Sequence, residues 1–263
     1  MPIPGEWQAT PSCPIVNGTA VGIAFQWQNV TPFGIPSAGD FLLDPPPALA
    51  STKYARAYNE VMTVGSVDST ERPQDRANVA LFYAASSPTL VFNQAVLQEQ
   101  EQGRSLSENA RALAVVNMAM NDSLVASFLN KYYYNFWRPK TAIHAGDTDG
   151  NPKTDPEPSF APLVTTPCFP SYPSNHGSAA NGAAEILKHI YGEGWHFITL
   201  SNPVVPDIVL QYTTFKQITD DISDARVYGG IHFRTDQDAG ERLGKAIGKA
   251  VCKNNLRPMH DDD

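Results

Sequence analysis

The sequence predicts an all-α protein, a single-domain helix bundle with an extended N-terminal arm. Three observations predict it. Apolar residues recur at spacings of three and four along several segments, capping and proline signals stand where those segments would begin, and strand-like alternation is scarce. The first 50 residues depart from this pattern, being rich in Pro, Gly, Ser and Thr up to the run Asp44-Pro45-Pro46-Pro47. The expected division is residues 1–50 as an extended Pro-rich arm packing on the body, and residues 51–263 as the helical domain.

Each element has its own signal. Within the arm, Trp7, Phe25, Trp27 and Phe33 are too apolar for a free tail and imply that it lies on the body. From Ser51 onward helices are expected over 51–64, 73–85 and 89–102, with Pro73 and Pro88 near two of the starts. The clearest helix opens at Ser105-Leu106-Ser107-Glu108, a capping-box pattern. Ala110, Leu113, Val116, Met120, Leu124 and Phe128 then give one apolar stripe, which continues to Trp137 and stops at Pro139. A loop is expected from Gly146 to Pro173, holding Asp147, Asp149, Gly150 and Asn151 among many prolines. A helix over 176–191, an excursion from Gly192 to Pro206, a helix near 207–228 and a last helix from about 233 to 253 complete the chain. In the last one, Ala239, Gly240, Gly244, Ala246 and Gly248 are small enough to let a neighbouring helix come close. No internal repeat is found.

Composition narrows the function. With 263 residues, 42% hydrophobic and 17% charged, the chain is ordinary for a soluble globular protein with a sizeable core. A net charge of −8 and the lack of a basic run argue against a generic nucleic-acid binder, although a few cations can still converge on an anion. There is no stretch of about 18 uncharged apolar residues, so no membrane span is expected. The N-terminal MPIPGEWQATPSCP lacks a charged segment followed by an apolar run. A trimmed signal, and with it a periplasmic or secreted location, stays open. Cys13, Cys168 and Cys252 are too few and too scattered for a zinc site or a disulfide framework, leaving open one bridge plus one free thiol.

Three clusters can carry chemistry. In KYYYNFWRP, Lys131 and Arg138 stand seven residues apart, two helical turns, so both cations are expected on one side of a helix end among enclosing aromatics. Arg offers a rigid donor fork for oxyanions, and Lys a movable point charge. In FPSYPSNHGS, a Pro-rich loop meets a helix whose interior begins near Gly177. Backbone N–H groups at such a start favour an anion, Ser174 adds a hydroxyl, and His176 can give or take a proton. The plainer reading is that Ser174 merely caps the helix. In ARVYGGIHFRTD, Arg226 precedes His232 by six residues and Asp236 follows it by four. On a helix that spacing sets the carboxylate beside the imidazole, where it can accept the Nδ1 proton and leave Nε2 free. Gly229-Gly230 interrupts this helix and suits a close approach of backbone to ligand.

Taken in order, the three clusters resemble the signature shared by type 2 phosphatidic acid phosphatases, bacterial non-specific acid phosphatases and vanadium-dependent haloperoxidases. That signature is a Lys, six residues, Arg-Pro; then Pro-Ser-Gly-His; then Ser-Arg, five residues, His, three residues, Asp. This sequence supplies Lys131 and Arg138-Pro139, then Pro173-Ser174-Asn175-His176, then Arg226, His232 and Asp236. The surrounding text is most similar to the soluble bacterial haloperoxidase-like branch, from about Gly5 to Cys252. Two positions depart from the signature. Asn175 stands where the family has Gly, with a tolerance for left-handed angles expected to keep the turn, and Ala225 stands where a Ser is common.

The resemblance implies a site in which Lys131, Arg138, Ser174, Asn175 and Arg226 bind the oxyanion and His176, His232 and Asp236 carry the chemistry. In a haloperoxidase the cofactor is vanadate, bonded to His232, with phosphate able to occupy the same site; hydrogen peroxide and a halide are the reactants. There, His176 helps deprotonate peroxide and Lys131 polarises it. In an acid phosphatase no cofactor is needed: His232 attacks a phosphate ester and His176 protonates the leaving oxygen. A non-catalytic anion-binding helical protein is the third reading. Trp137, Phe169 and Tyr172, next to the motifs, are either a dry wall of the pocket or core packing. Related soluble proteins carry a further helical segment upstream. The chain is accordingly expected to be either a C-terminal portion or a shorter form completed by a partner subunit, as in a homo-oligomer.

Overall fold

Ser105 begins the helix around which the others are laid. In the computed structural model, which describes residues 3–100 and 103–257, its hydroxyl accepts from Glu108 N while Glu108 accepts from Ser105 N. The helix so capped is α4 (Leu106–Tyr134). It follows α1 (Thr52–Gly65), α2 (Gln74–Ala85) and α3 (Pro88–Gln100), and precedes α5 (Pro139–His144), α6 (Asn175–Tyr191), α7 (Phe215–Tyr228) and α8 (Arg234–Asn254). The predicted helix bundle is the fold observed. Strands are confined, among the described residues, to two small antiparallel pairs: β1 (Ile15–Val16) with β2 (Thr19–Ala20), and β3 (Ile198–Leu200) with β4 (Leu210–Tyr212). By length and apolarity alone α4 could cross a membrane, but most of its apolar window is buried inside the bundle, as a core helix requires.

The glycines of α8 set the geometry that matters for function. A Cβ on Gly240 would lie 2.7 Å from Ser174 O, and one on Gly248 would lie 2.8 Å from Gly182 O. With no side chain in the way, α8 lies directly on α6, and both lie on α4. The N-terminal turns of α6 and α8 are thereby brought side by side, and Ser174 N donates to Asp236 O at 2.9 Å.

Two helix boundaries differ from expectation, and one short helix, α5, was not expected. First, α4 stops at Tyr134 and not at Trp137, because Asn135 takes a left-handed conformation (φ 48°) and closes the helix on Lys131 O. Pro139 then starts α5 at its first position, where its missing N–H costs nothing. Finally, residues 207–214 do not belong to α7. Residues 210–212 pair with β3, and the helix begins only after Thr214, whose capping box with Gln217 defines the start. The free edge of β3 is covered by side chains: Gln94 and Gln98 of α3 each exchange hydrogen bonds with the backbone of Ser201 and Thr199. Residues 101–102 of the helix expected over 89–102, like residues 1–2 and 258–263 of the two expected units, lie outside the described residues.

Within residues 3–50, the stretches around Phe25–Asn29 and residues 34–41 pack on α4. Trp27 stacks on Phe128 and Phe25 meets Tyr132 edge-on. The buried Asp122 carboxylate accepts from the N–H groups of Phe33, Gly34 and Ile35 at 2.6–3.1 Å. A disulfide joins Cys13 to Cys168, beside the loop that carries Phe169 to Ser174, and Cys252 is free.

Candidate functional site

Lys131 and Arg138 do not share a helix face, as their spacing suggested. Lys131 lies in the last turn of α4, the left-handed Asn135 turns the chain, and Arg138 stands at the N-cap of α5. The reversal aims both side chains at one loop: Lys131 Nζ donates to Pro170 O and Ser171 O at 2.8 Å each, and Arg138 Nε donates to Phe169 O at 2.9 Å. Both cations are fully buried and face the Phe169 ring, at 5.2 and 5.1 Å from its centroid. Of the three aromatic residues flagged in the sequence, Trp137 and Tyr172 belong to the core around Tyr54 and Phe233, and Phe169 alone packs on the cations.

Ser174 caps α6, accepting from Gly177 N at 3.1 Å, so the helix starts at Asn175, two residues before the expected interior. Asn175 needs no left-handed tolerance: it is helical, and the non-glycine residues with positive φ among those described are Asn17, Ala24, Asn135 and Leu256. Its carboxamide is instead held by α4, Oδ1 accepting from Ser127 Oγ at 2.6 Å. His176, one residue on, is partly buried. Ala225 is fully buried in the main core, where a hydroxyl would need a partner.

His232 and Asp236 do meet, but not as a pair on one helix. His232 precedes α8, which starts at Arg234, and Asp236 lies in its first turn. The Asp236 carboxylate reaches back, Oδ2 accepting from Phe233 N at 3.1 Å and from His232 Nδ1 at 2.9 Å. The Gly229-Gly230 pair also has a different use. Gly230 (φ +76°) lies against Gly65 and Pro162, where a Cβ would stand 2.9 Å from Pro162 Cα, so the close approach is to protein backbone.

Arg138 Nη1 bridges the two halves, reaching Ile231 O at 2.8 Å and His232 Nε2 at 2.9 Å. A guanidinium only donates, so Nε2 carries the lone pair and the ring proton is on Nδ1, facing Asp236. Arg226, from the last turn of α7, is buried and donates to Tyr83 O at 3.2 Å. Burial, then the charges of Arg226, Lys131 and Arg138, hold His176 well below the usual histidine value. His232 is lowered likewise, first by burial and then by Arg138, Lys131 and Arg226. Burial also lowers Lys131 well below its usual value, with Arg138 adding to the effect. The guanidiniums fall to about 9 (Arg138) and about 10 (Arg226), still charged at neutral pH. Burial raises Asp236 to about 6, against the Ser171 hydrogen bond and the nearby cations.

These groups suit a tetrahedral oxyanion. Among the described residues, Asp236 is the carboxylate whose charge acts on Lys131 and Arg138, and burial is the main cause of the shift at Arg226. Two guanidinium donors, Arg138 Nη2 and Arg226 Nε, are buried with no acceptor among the described residues. Buried donors without partners are costly, and an anion bearing several oxygens would satisfy them together. An ordinary metal cation finds no such fit: no group of three or more His, Cys, Asp or Glu able to hold one occurs among the described residues. Ser127 and Ser171 were not singled out in the sequence. Ser171, in FPSYPS, lies three residues before Ser174, and its hydroxyl donates to Asp236 Oδ2 at 2.6 Å. A serine carries no local signal for such a contact, which depends on how two distant segments meet.

Comparisons with known proteins identify the family and the fold. A family model described as the VCPO second helical-bundle domain matches residues 111–261, which include all three clusters. A vanadium chloroperoxidase of Curvularia inaequalis is 26% identical over 184 residues, covering 57% of this chain and 30% of that protein. A bacterial vanadium-dependent iodoperoxidase structure superposes with a TM-score of 0.80 at 25% identity, covering 96% of this chain and 61% of that one. A holo-type bacterial vanadium-dependent chloroperoxidase gives 0.71 at 17% identity, covering 94% and 60%, a likeness of fold. The chain thus spans less than two thirds of the length of each of these relatives.

Proposed function

This chain belongs to the family of the VCPO second helical-bundle domain, and from that premise we propose that it is a vanadate-dependent haloperoxidase, oxidising halide with hydrogen peroxide. The observation that carries the proposal is the buried cation cluster of Lys131, Arg138 and Arg226 with its two unpartnered guanidinium donors. Bound vanadate supplies a Lewis-acidic centre that activates peroxide toward halide.

The chain's own residues supply the rest. His232 offers the Nε2 lone pair once Arg138 Nη1, which donates to it in this structure, turns to the anion, and its ring is held by the Nδ1–H to Asp236. Arg138 and Arg226 direct their free donors to the anion's oxygens, and Lys131 adds a third buried charge. Ser174 Oγ accepts from Gly177 N, which leaves its own proton for the anion beside the N-terminus of α6. His176, kept neutral by burial and by the cations, is ready to take a proton from peroxide at neutral pH. Phe169 closes one side of the cluster with an apolar ring, which limits water around the charges.

An acid phosphatase would use the same donors, so the test is a paired assay. Protein freed of vanadate is assayed with and without added orthovanadate, for bromide-dependent halogenation of a dione by peroxide and for hydrolysis of a chromogenic phosphate ester. The proposal expects halogenation only with vanadate. Ester hydrolysis that vanadate merely inhibits, without halogenation, would make the protein a phosphatase; neither activity would point to a non-catalytic anion binder.

A further inference from the structure

Ser171 lies outside every motif position assigned above, yet its hydroxyl sits between the two residues that orient the site. We propose that Ser171 is a positioning residue, fixing His232 through Asp236. Its consequence for anion binding rests on the oxyanion reading above.

Asp236 Oδ2 accepts three hydrogen bonds: from Ser171 Oγ at 2.6 Å, His232 Nδ1 at 2.9 Å and Phe233 N at 3.1 Å. Its other oxygen, Oδ1, has no partner among the described residues. A carboxylate loaded on one oxygen keeps its orientation only while those donors hold it. Two of the three come from the chain segment that leads into α8. Ser171 is the donor from elsewhere, and it makes the shortest of the bonds. It also stands 3.4 Å from His232 Nδ1, so its single proton goes either to the carboxylate or to the imidazole. Because Arg138 faces Nε2 with a donor, Nδ1 is protonated and the Ser171 proton is given to Asp236. The hydroxyl therefore keeps Oδ2 pointed at Nδ1, and with it the aim of Nε2.

The backbone of Ser171 is held independently. Its N–H donates to Phe136 O at 2.8 Å and its carbonyl accepts from Lys131 Nζ at 2.8 Å. Ser171→Ala thus removes one hydrogen bond and leaves the Lys131 contact in place. Outer partners of a ligating histidine of this kind are worth roughly 10- to 100-fold in affinity.

The test compares Ser171→Ala, Ser171→Cys and Ser171→Thr with the parent protein. Cysteine keeps the volume but donates weakly, whereas threonine keeps the hydroxyl. Two quantities are read: the ring ¹⁵N and Nδ1–H resonances of His232 in protein without vanadate, assigned with His232→Gln, and the orthovanadate Kd by calorimetry. We expect Ser171→Ala and Ser171→Cys to shift the Nδ1–H resonance, speed its exchange with water and weaken vanadate binding roughly 10- to 100-fold, with Ser171→Thr closer to the parent on both. Parent-like resonances and affinity in Ser171→Ala would overturn the proposal, as would Ser171→Cys matching the parent, since filling the space would then be the whole role. Failure of the parent protein to bind vanadate would reject the oxyanion reading instead, while the His232 resonances would still decide the role of Ser171.

Discussion

Arg138 Nη1 stands 2.9 Å from His232 Nε2, so the donor fork of one residue holds the lone pair of the other. Arg138→Lys keeps the charge but loses the planar fork that reaches Phe169 O, Ile231 O and His232 together. We expect its vanadate Kd to rise by roughly 10- to 100-fold, the scale of one charge-assisted hydrogen bond. Calorimetry checks this; an unchanged Kd would mean that Arg138 does not touch the anion.

Lys131, Arg138 and Arg226 are buried with only Asp236 acting on two of them among the described residues, which should make the fold sensitive to its ligand. An oxyanion that binds only the folded state adds about 2.7 kcal/mol at 100 times its Kd. For a chain of this size that raises Tm by roughly 5–10 °C. Scanning calorimetry with and without orthovanadate measures it, and Arg226→Ala should shrink the shift. No shift at saturating vanadate would count against the site.

Acid should destabilise the vanadate-free protein. His176 and His232 are lowered by burial and by the cations, so below about pH 6.5 the unfolded chain takes up protons that the folded one refuses, and stability falls. Asp236, raised by burial to about 6, works the other way, the folded carboxyl binding its proton first. Two histidines outweigh one carboxyl, so Tm should drop from pH 7 to pH 5, and His176→Asn should lessen the drop. A flat or rising Tm would contradict the assignment of neutral buried histidines.

The arm should depend on Asp122. Its carboxylate accepts three backbone N–H groups at residues 33–35, and Asp122→Ala removes their shared acceptor, leaving the buried Ile35 N–H without it. A loss of about 3 kcal/mol is expected in urea unfolding. A loss under about 0.5 kcal/mol, the size of an ordinary surface change, would mean that other contacts hold the arm.

What the sequence made legible follows from what each residue needs from its neighbours. The stripe from Ala110 to Phe128 and the box at Ser105 and Glu108 are local signals, and the helix they imply is present. The start of α7 was also local, in Thr214 and Gln217, although the helix was expected from near residue 207. At the candidate site, each cluster alone was ambiguous, and Lys131, Arg138, Arg226 and the histidines stood out because the three clusters in order resemble one family signature. How Lys131 and Arg138 come together was not readable, since it depends on one left-handed residue, Asn135. Nor were the roles of Ser127 and Ser171, whose partners lie 48 and 65 residues away.

The most direct test of the account is a calorimetric titration of orthovanadate into the parent protein and into His232→Ala, repeated with phosphate present. The account predicts saturable binding of one vanadate per chain, competition by phosphate, and binding lost or greatly weakened without the His232 ring. No binding to the parent, or equal binding to His232→Ala, would contradict it.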